Sequence, residues 1–128
     1  DDAMIGNSAA NTMQGLAGAD SIEGNAGNDT LSGGSGADTF VIESNYRYPA
    51  IKVLDFRPGQ DVIELEARDG WGTNEEVAYL ERLLDRVGTL DTTRGDDFDG
   101  AYIHYDKLNI ELRGLGPDAL SASDFIFA

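Results

Sequence analysis

The segment GLAGADSIEGNAGNDTLSGGSGADTF, residues 15–40, returns glycine, aspartate and a large apolar residue every nine positions. Extended back to Gly6 and written in nines, the chain becomes GNSAANTMQ, GLAGADSIE, GNAGNDTLS and GGSGADTFV. Position one is glycine, position four is small, position six is aspartate or asparagine, and position eight is apolar. In that order the residues are Gly6, Gly15, Gly24 and Gly33; Ala9, Gly18, Gly27 and Gly36; Asn11, Asp20, Asp29 and Asp38; Met13, Ile22, Leu31 and Phe40. A flexible glycine-rich linker would not hold an apolar residue in phase, so the period predicts a regular repetitive structure.

Each nonapeptide predicts a turn followed by a short strand. The first six residues form the turn, in which glycine permits positive φ and a close approach of the backbone to an ion. The last three form a strand whose residue at position eight points inward. One nonapeptide is then half a coil, and turns eighteen residues apart stack at about 4.8 Å on the same edge. The pattern predicts an all-β fold that begins with a short parallel β-roll.

This stacking brings acidic side chains together. Asp20 should lie against Asp38, and Asn11 against Asp29. Two carboxylates at this spacing repel each other unless a hard cation lies between them. Calcium takes about six to eight oxygen ligands, backbone carbonyls included, whereas zinc prefers nitrogen or sulfur, which these side chains lack. The repeat therefore predicts bound calcium, but not in an EF-hand, because the twelve-residue loop pattern of that motif is absent.

Composition limits the other function classes. The chain has 128 residues, which fits one domain, and a net charge of −15 from 24 acids against 9 bases. That charge argues against nucleic acid and anionic membranes as partners and favours divalent cations. There is no cysteine for a disulfide or thiolate site, and no apolar run approaches the ~20 residues of a membrane span. The chain begins at Asp1 without methionine or a signal peptide, so we interpret it as a fragment of something longer.

Residues 42–128 should form a cap that supplies the large core that the repeats lack. Strands are predicted within 51–56 and 61–65, joined by the turn R-P-G-Q, and again at 101–105 and 108–113. One helix is predicted over 73–88, with a capping box of Thr73 and Glu76 and an end at Gly88. Its predicted buried stripe is Val77, Leu80, Leu84 and Val87.

Several polar and aromatic residues have ordinary structural interpretations. His104 is the only histidine, and without cysteine or a second histidine it supports neither a catalytic nor a zinc site. Asp96, Asp97 and Asp99 fit a solvated acidic loop better than another cation site, and Trp71 fits core packing better than ligand stacking. No pairing of a nucleophile with a base is visible, so the chain is predicted to be non-catalytic.

The repeat resembles the G-G-x-G-x-D-x-U-x pattern of RTX calcium-binding proteins. The likeness extends to the C-terminal RTX domains of proteins secreted by bacterial type I systems, including serralysin-type metalloproteases and the repeat modules of mannuronan C-5 epimerases. IKVLDFRPGQDVIEL (51–65) resembles the I-x-DF-x-x-G-x-D-x-I-x-L segment of these domains. AYIHYDKLNIELRGL (101–115) resembles their closing hairpin, and SASDFIFA (121–128) their C-terminal secretion signal. The resemblance implies a single RTX domain over 1–128, with the roll at about 6–41.

The resemblance also implies ligand sets, because each ion of that family lies between turns eighteen residues apart. The first set is Leu16, Gly18 and Asp20 with Gly33, Ser35 and Asp38. The second is Asn7, Ala9 and Asn11 with Gly24, Ala26 and Asp29, and it should bind more weakly because Asn11 is neutral. A third would join Gly34, Gly36 and Asp38 to Asp61, although Asn45 stands where the family has an acid. Two calcium ions are therefore expected, with a third dependent on Asp61.

The resemblance implies a secreted, extracellular and monomeric module that folds on binding calcium, after export by the type I machinery, and supports a larger protein. The alternative is a module that binds an anionic polysaccharide such as alginate. ESNYR (43–47) resembles a segment of the epimerase repeat modules, and nearby bases could line a groove for the polymer. Those bases are Arg47, Lys52, Arg57, Arg94, Lys107 and Arg113. Scattered bases on an acidic protein also serve as ordinary ion-pair partners, so both functions stay open.

Overall fold

Short strands, one for each nonapeptide, form the N-terminal part of the protein. The computed structural model describes residues 1–42, 50–65, 73–84, 87–89, 100–105, 108–115 and 119–127. The strands are β1 (Ala3–Ile5), β2 (Thr12–Gln14), β3 (Ser21–Glu23), β4 (Thr30–Ser32), β5 (Thr39–Ile42), β6 (Ala50–Val53), β7 (Val62–Leu65), β8 (Val87–Thr89), β9 (Gly100–Tyr105), β10 (Leu108–Arg113) and β11 (Phe125–Phe127). The helices are α1 (Thr73–Leu84) and a 3₁₀ turn (Ala122–Asp124).

Consecutive strands of the repeat alternate between two sheets. The first sheet has the order β1-β3-β5-β7-β11, and the second has the order β2-β4-β6-β10-β9-β8. Within the repeats the pairing is parallel, and the paired residues are eighteen apart, as in Ser21 with Thr39 and Thr12 with Thr30. One nonapeptide is thus half a coil, and the predicted parallel β-roll is confirmed.

The residues at position eight form two apolar columns that face each other inside the roll. In the first sheet the register aligns Met4, Ile22, Phe40, Ile63 and Phe125. In the second sheet it aligns Met13, Leu31, Val53 and Leu112. All of these except Met4 and Met13 are buried, and those two pack against the buried cluster. One inward side chain in each three-residue strand is therefore sufficient to build a continuous core.

The cap continues both sheets of the roll. The predicted strands around R-P-G-Q are β6 and β7, and they lie in opposite sheets, so this turn crosses the roll as a nonapeptide turn does. The predicted closing hairpin is confirmed as the antiparallel pair of β9 and β10, and β10 pairs in parallel with β6. Cap and repeats therefore share hydrogen-bonded sheets as well as a core.

The helix ends earlier than predicted. It ends at Leu84, and Val87 begins β8, which pairs with β9, so the predicted continuation to Gly88 was wrong. Leu80 and Leu84 of the predicted stripe are half-buried and pack against the core, and Leu83 beside them is fully buried. The backbone of β8 pairs with β9, and this pairing outweighs the helical period. The side chains of Thr73, Glu76, Val77 and Val87 lie outside the described residues.

The C-terminal segment is part of the fold. Phe125 is 4% exposed, and its strand pairs in parallel with β7 at the edge of the first sheet. Asp124 is buried and accepts hydrogen bonds from the backbone N–H groups of Gly59 (2.9 Å) and Ser121 (2.8 Å). These bonds tie the end of the chain to the R-P-G-Q turn. Across the described ranges, no helix is long and apolar enough to cross a membrane.

Candidate metal centre

The residues at position six form a ladder along each edge of the roll. The backbone N–H of Asp20 donates to Asp38 Oδ1 (3.0 Å), and that of Asn11 donates to Asp29 Oδ1 (2.8 Å). One coil earlier, the N–H of Asp2 donates to Asp20 Oδ1 (2.6 Å). The stacking of Asp20 on Asp38, and of Asn11 on Asp29, is therefore as the period predicts.

The second oxygen of each repeat aspartate has no protein partner. Asp20 Oδ2, Asp29 Oδ2 and Asp38 Oδ2 are buried and make no hydrogen bond within the part of the chain that the structure describes. Each of the three residues is at most 2% exposed. The Oδ1 atom of Asp20 also lies 3.5 Å from the terminal ammonium of Asp1, but a buried carboxylate oxygen that accepts no hydrogen bond still carries a desolvation penalty, which a coordinating cation relieves. The orphaned oxygens are therefore the feature that fits calcium.

At position one, oxygens from successive coils approach a common point. A Cβ atom placed on Gly15 would lie 2.5 Å from Asp20 Oδ2 and 2.6 Å from the carbonyl oxygen of Gly33. Both of these oxygens belong to the first predicted ligand set. Only glycine leaves that point free, since a real Cβ atom does not come within 3.0 Å of such an atom. The space between these two coils is thus lined by oxygen.

Carbonyls at positions two and four of one coil face the next coil. A Cβ atom on Gly34 would run into the carbonyl oxygen of Leu16, and one on Gly36 into that of Gly18. This arrangement requires positive φ values, which are 75° at Leu16, 121° at Gly18 and 130° at Gly36. Leu16, the one large residue among them, leaves its side chain 71% exposed. The backbone is bent so that its carbonyls, rather than its side chains, line the space between coils.

Ser35 completes the first set from the second coil. Its backbone N–H donates to the Leu16 carbonyl (2.9 Å), and its carbonyl accepts from the N–H of Gly18 (2.8 Å). A carbonyl oxygen has two lone pairs, so a hydrogen bond leaves one for a cation. All six residues of the first predicted set therefore lie on one edge, in two adjacent coils.

The second predicted set has a different first coil. Neither Asn7 nor Ala9 adopts positive φ, and the amide side chains hydrogen-bond within the turn instead. Asn7 Oδ1 accepts from the N–H of Ala9 (2.8 Å), and Asn11 Oδ1 accepts from that of Asn7 (2.9 Å). Across the gap, Asn25 Nδ2 donates to the carbonyl oxygen of Gly6 (3.1 Å).

This second set still places oxygens between the coils. A Cβ atom on Gly6 would lie 2.5 Å from Asn11 Oδ1 and 2.6 Å from the Gly24 carbonyl oxygen. Asp29 supplies the only carboxylate, and Ala26 belongs to the same coil as Gly24. The side-chain amides of Asn7 and Asn11 thus stabilise the turn of residues 6–11. In this predicted set only Asp29 offers a full negative charge to an ion.

The third predicted set is arranged differently. Asp61 occupies the register of position six, one strand beyond Asp38, because Val62 pairs with Thr39. Both of its oxygens are satisfied: Oδ1 accepts from the N–H of Asp38 (3.0 Å) and Oδ2 from that of Arg57 (2.8 Å). The Gly36 carbonyl, a predicted ligand, accepts from Gln60 Nε2 (2.6 Å). Protein donors therefore satisfy the oxygens that this set would offer to an ion from Asp61 and Gly36. Gly34 lies against the Leu16 carbonyl of the preceding coil.

Burial shifts the acid strength of two of these carboxyls. Burial raises the pKa of Asp29 above its ordinary value of 3.8, against the opposing hydrogen bond from Asn11. Burial likewise raises the pKa of Asp61, the hydrogen bonds from Asp38 and Arg57 lower it, and the Asp38 charge raises it further. In both residues the shift favours the protonated form, but only Asp29 also has a buried oxygen without a hydrogen bond among the described residues, which a cation could contact.

Two further aspartates form hydrogen bonds with the turns of the roll but do not belong to the predicted ligand sets. Asp2 precedes Ala3 in the same register as Asp20 precedes Ser21, and extending the nonapeptide phase one unit earlier would have found it. Asp55 accepts hydrogen bonds from the Gly33 and Gly34 turn, and no repeat spacing points to it. Among the described residues there is no group of three or more acidic, histidine or cysteine side chains that could hold a metal ion by themselves.

Three of the basic residues proposed for a polysaccharide groove lie in the described part of the chain. Lys52, Arg57 and Arg113 are exposed. Other candidates lie outside the described residues or have side chains that do, namely Asn45, Arg47, Trp71, Arg94, Asp96, Asp97, Asp99, His104 and Lys107.

Comparison with known proteins agrees with this geometry. Residues 5–40 match the RTX calcium-binding nonapeptide repeat in four copies. The AlgE6R3 subunit of the Azotobacter vinelandii mannuronan C5-epimerase is similar in structure, with 29% identity, a TM-score of 0.64, and coverage of 99% of this chain and 78% of that one. The extracellular lipase LipA of Serratia marcescens shares the fold at 17% identity, with a TM-score of 0.62 and coverage of 98% of this chain and 21% of that one. No curated protein sequence matches the chain. Residues 5–40 are therefore RTX calcium-binding nonapeptide repeats, and the fold of the whole chain is similar to that of the epimerase subunit.

Proposed function

We propose that this chain is a module that folds when it binds calcium outside the cell, and that it supports the type I secretion and the stability of a larger extracellular protein. The observation that carries the proposal is the set of three buried aspartate oxygens, one in each of three successive nonapeptides, that have no hydrogen-bond partner among the described residues. A roll with these oxygens uncompensated is costly to form, and calcium supplies what is missing.

Calcium controls folding in this proposal because the folded roll binds it and the unfolded chain does not. Without the ion, sixteen glycines raise the entropy lost on folding, and a net charge of −15 repels itself. Extracellular calcium modules bind at roughly 10⁻⁴–10⁻³ M, which is matched to the calcium level outside cells. Binding to the folded form alone then draws the equilibrium toward the roll.

Two ions of unequal affinity follow from the two coil pairs. Asp20 and Asp38, with carbonyls of Leu16, Gly18, Gly33 and Ser35, would hold the stronger ion. Asn11 and Asp29, with carbonyls of Asn7, Ala9, Gly24 and Ala26, would hold the weaker one, since a neutral amide replaces one carboxylate. The chemistry that calcium supplies is neutralisation and cross-linking of stacked turns, and we propose no reaction for this chain.

The proposed secretion depends on the C-terminal segment. It rests on the likeness of residues 121–128 to a type I secretion signal and on the extracellular lipase among the similar structures. In the folded protein Asp124 and Phe125 are buried. Export would therefore take place before calcium folds the chain.

Circular dichroism in calcium and in EGTA tests the proposal. We expect a β-sheet spectrum in calcium, a loss of most of it under chelation, and a cooperative return on adding calcium but not magnesium, which demands a more rigid octahedral site. Asp20→Asn with Asp38→Asn should raise the calcium midpoint well above that of a control variant, Glu81→Gln, which removes one exposed charge from α1. Identical spectra with and without EGTA would disprove calcium-dependent folding.

A second candidate function is favoured by the similarity to the epimerase subunit over 99% of this chain. In this alternative the roll also binds an anionic polysaccharide. Lys52 and Arg113 are exposed on β6 and β10, two neighbouring strands of the second sheet. Titration of the calcium-loaded protein with oligouronates, followed by NMR, should then shift resonances of these strands, and Lys52→Ala should weaken the shifts. Unchanged spectra would leave calcium-dependent folding as the only role.

A further inference from the structure

Asp55, which belongs to the cap, lies against the last glycine turn of the roll. Its carboxylate accepts the N–H of Gly33 at 3.0 Å, the N–H of Gly34 at 2.9 Å and the hydroxyl of Ser32 at 2.7 Å. The residue is half-buried, so these bonds are only partly screened by solvent. These three donors hold the Asp55 carboxylate against the turn that begins at Gly33.

The contact replaces a hydrogen bond that the repeat makes elsewhere. At earlier position-one glycines, the N–H of Gly6 donates to the Glu23 carbonyl (2.7 Å), and that of Gly15 donates to the Ser32 carbonyl (2.9 Å). The strand that pairs next to β4 is β6, which does not belong to a nonapeptide. The N–H of Gly33 therefore donates to the carboxylate of Asp55 instead of to a backbone carbonyl. The register of β4 on β6 places Asp55 beside Gly33, whereas the register of β3 on β5 places Ile42 beside Gly24. An acid therefore supports Gly33, and none stands at the matching place beside Gly24.

The same contact fixes the direction of a predicted calcium ligand. The carbonyl of Gly33 and the N–H of Gly34 belong to one trans peptide plane, in which they point in opposite directions. Holding this N–H toward Asp55 turns the Gly33 carbonyl away from Asp55 and toward the coil of residues 15–20. There the carbonyl oxygen lies 2.6 Å from the point where a Cβ atom of Gly15 would stand, beside Asp20 Oδ2. A hydrogen bond to a carboxylate also polarises the peptide and increases the negative charge on its oxygen.

We infer that Asp55 is a positioning residue for the calcium ion between residues 15–20 and 33–38, and that it acts through the Gly33 carbonyl. The inference rests on the proposed calcium function. It makes the affinity of this site, but not of the site between Asn11 and Asp29, dependent on the cap.

Asp55→Asn tests the inference, because one oxygen becomes an NH₂ group that cannot accept the Gly34 N–H. We expect the calcium dissociation constant of the first site to rise by about tenfold, the usual effect of losing a group that orients a ligand. The second site should change by less than about twofold. Site-resolved NMR titration of the whole chain, with ¹³C-labelled carbonyls, separates the two sites: the signals of Gly33 and Asp20 report the first, and those of Gly24 and Asp29 the second.

Two control variants separate positioning from charge and from general destabilisation. Glu81→Gln removes one negative charge at an exposed position on α1, and Ser32→Ala removes the hydroxyl donor but keeps both backbone donors. Both should leave the first site within about twofold of its original affinity. If Asp55→Asn does not fold in excess calcium, Asp55→Glu carries the test, since it keeps the charge but moves the carboxylate, and the same selective weakening is expected.

The outcomes distinguish this inference from the function on which it rests. If the Gly33 carbonyl signal of the unchanged protein does not respond to calcium, the proposed ligand set itself is wrong. If Gly33 responds but the Asp55 variant binds with unaltered affinity, or loses affinity equally at both sites, the positioning role is overturned and the calcium function stands. Selective weakening of the first site supports both.

Discussion

At the scale of the residue, glycine in the turns makes room for oxygen. Gly36 has a φ of 130°, a conformation that residues with a side chain rarely adopt. A Cβ atom there would also run into the carbonyl oxygen of Gly18, a predicted calcium ligand. Conformation and packing therefore both require glycine at this position.

We predict that Gly36→Ala destabilises the calcium-loaded protein by about 2–4 kcal/mol, from backbone strain together with overpacking. Urea unfolding in saturating calcium measures the loss. Gly114→Ala is the matched control, because Gly114 has a φ of 73° but open space around its Cα. The control should lose only about 1–2 kcal/mol from strain. Equal losses in the two variants would contradict a steric role for Gly36.

Acidity gives a second prediction at this scale. The raised pKa of folded Asp29 means that protonation favours the calcium-free roll, with the full contribution below the ordinary value of 3.8. This contribution is lost as the pH rises through the folded pKa. Calcium needs the ionised carboxylate, so the proton competes with it, and the calcium midpoint should rise as the pH falls toward that pKa.

Calcium titrations followed by circular dichroism at several pH values between about 7 and 4 measure this competition. Asp29→Asn should bind calcium more weakly at every pH, and its midpoint should depend less on pH. A midpoint of the unchanged protein that stays constant over this range would show that Asp29 takes no part in binding.

The sequence predicted the repeat acids but not every group that supports them. Spacing alone pairs Asp20 with Asp38, because a fixed period fixes the register of parallel strands. Gln60 and Asp55 act through tertiary contacts whose sequence separation is not a multiple of nine, and no periodic pattern marks them. The predicted third ligand set depended on Asp61, and its register was correct while its hydrogen bonding was not foreseen.

At the scale of the element, the edge strand β11 shows how the end of the chain contributes to stability. Phe125 extends the apolar column of Ile22, Phe40 and Ile63, whereas the next residue, Ile126, is 41% exposed. The buried Asp124 anchors the start of this strand to Gly59. The final residues thus close one end of the core.

We predict that Phe125→Ala costs about 3–5 kcal/mol, the usual loss for a buried aromatic residue. Thermal unfolding in saturating calcium gives the measurement. Ile126→Ala lies one position away on the opposite face and should cost less than about 1 kcal/mol, as is normal for surface positions. Similar losses at both positions would mean that β11 does not pack as described.

Elements with a two-residue or nine-residue period were predicted well, and the helix less so. Its apolar pattern continues beyond Leu84 to Val87 without a break, so no local feature indicates that β8 would pair with β9. That pairing is decided by the neighbouring strand.

At the scale of the whole molecule, the number of bound calcium ions depends on how the end of the roll next to the cap is stabilised. Asp61 uses both carboxylate oxygens on backbone N–H groups, and Gln60 occupies the nearby Gly36 carbonyl. Hydrogen bonds therefore take the place of an ion at the end of the roll that joins the cap.

We predict that the folded chain binds two calcium ions, and that Asp61→Asn leaves this number unchanged while lowering stability by about 1–3 kcal/mol through an unsatisfied buried donor. Isothermal titration calorimetry gives the stoichiometry. Asp38→Asn is the contrasting variant and should abolish or greatly weaken one ion. A third ion in the unchanged protein, lost in Asp61→Asn, would show that Asp61 is a ligand after all.

The alternation of strands between the two sheets sets a rule for how such a chain can lengthen. Inserting one nonapeptide would move every earlier strand to the opposite sheet. The first strand, Ala3–Ile5, would then lie in the second sheet, and any segment before it would extend from the opposite side of the roll. Inserting eighteen residues would restore the original side and move the start of the chain one strand spacing, about 4.8 Å, farther from the cap. Duplication in pairs therefore preserves the direction in which a preceding domain would be held, while a single copy reverses it.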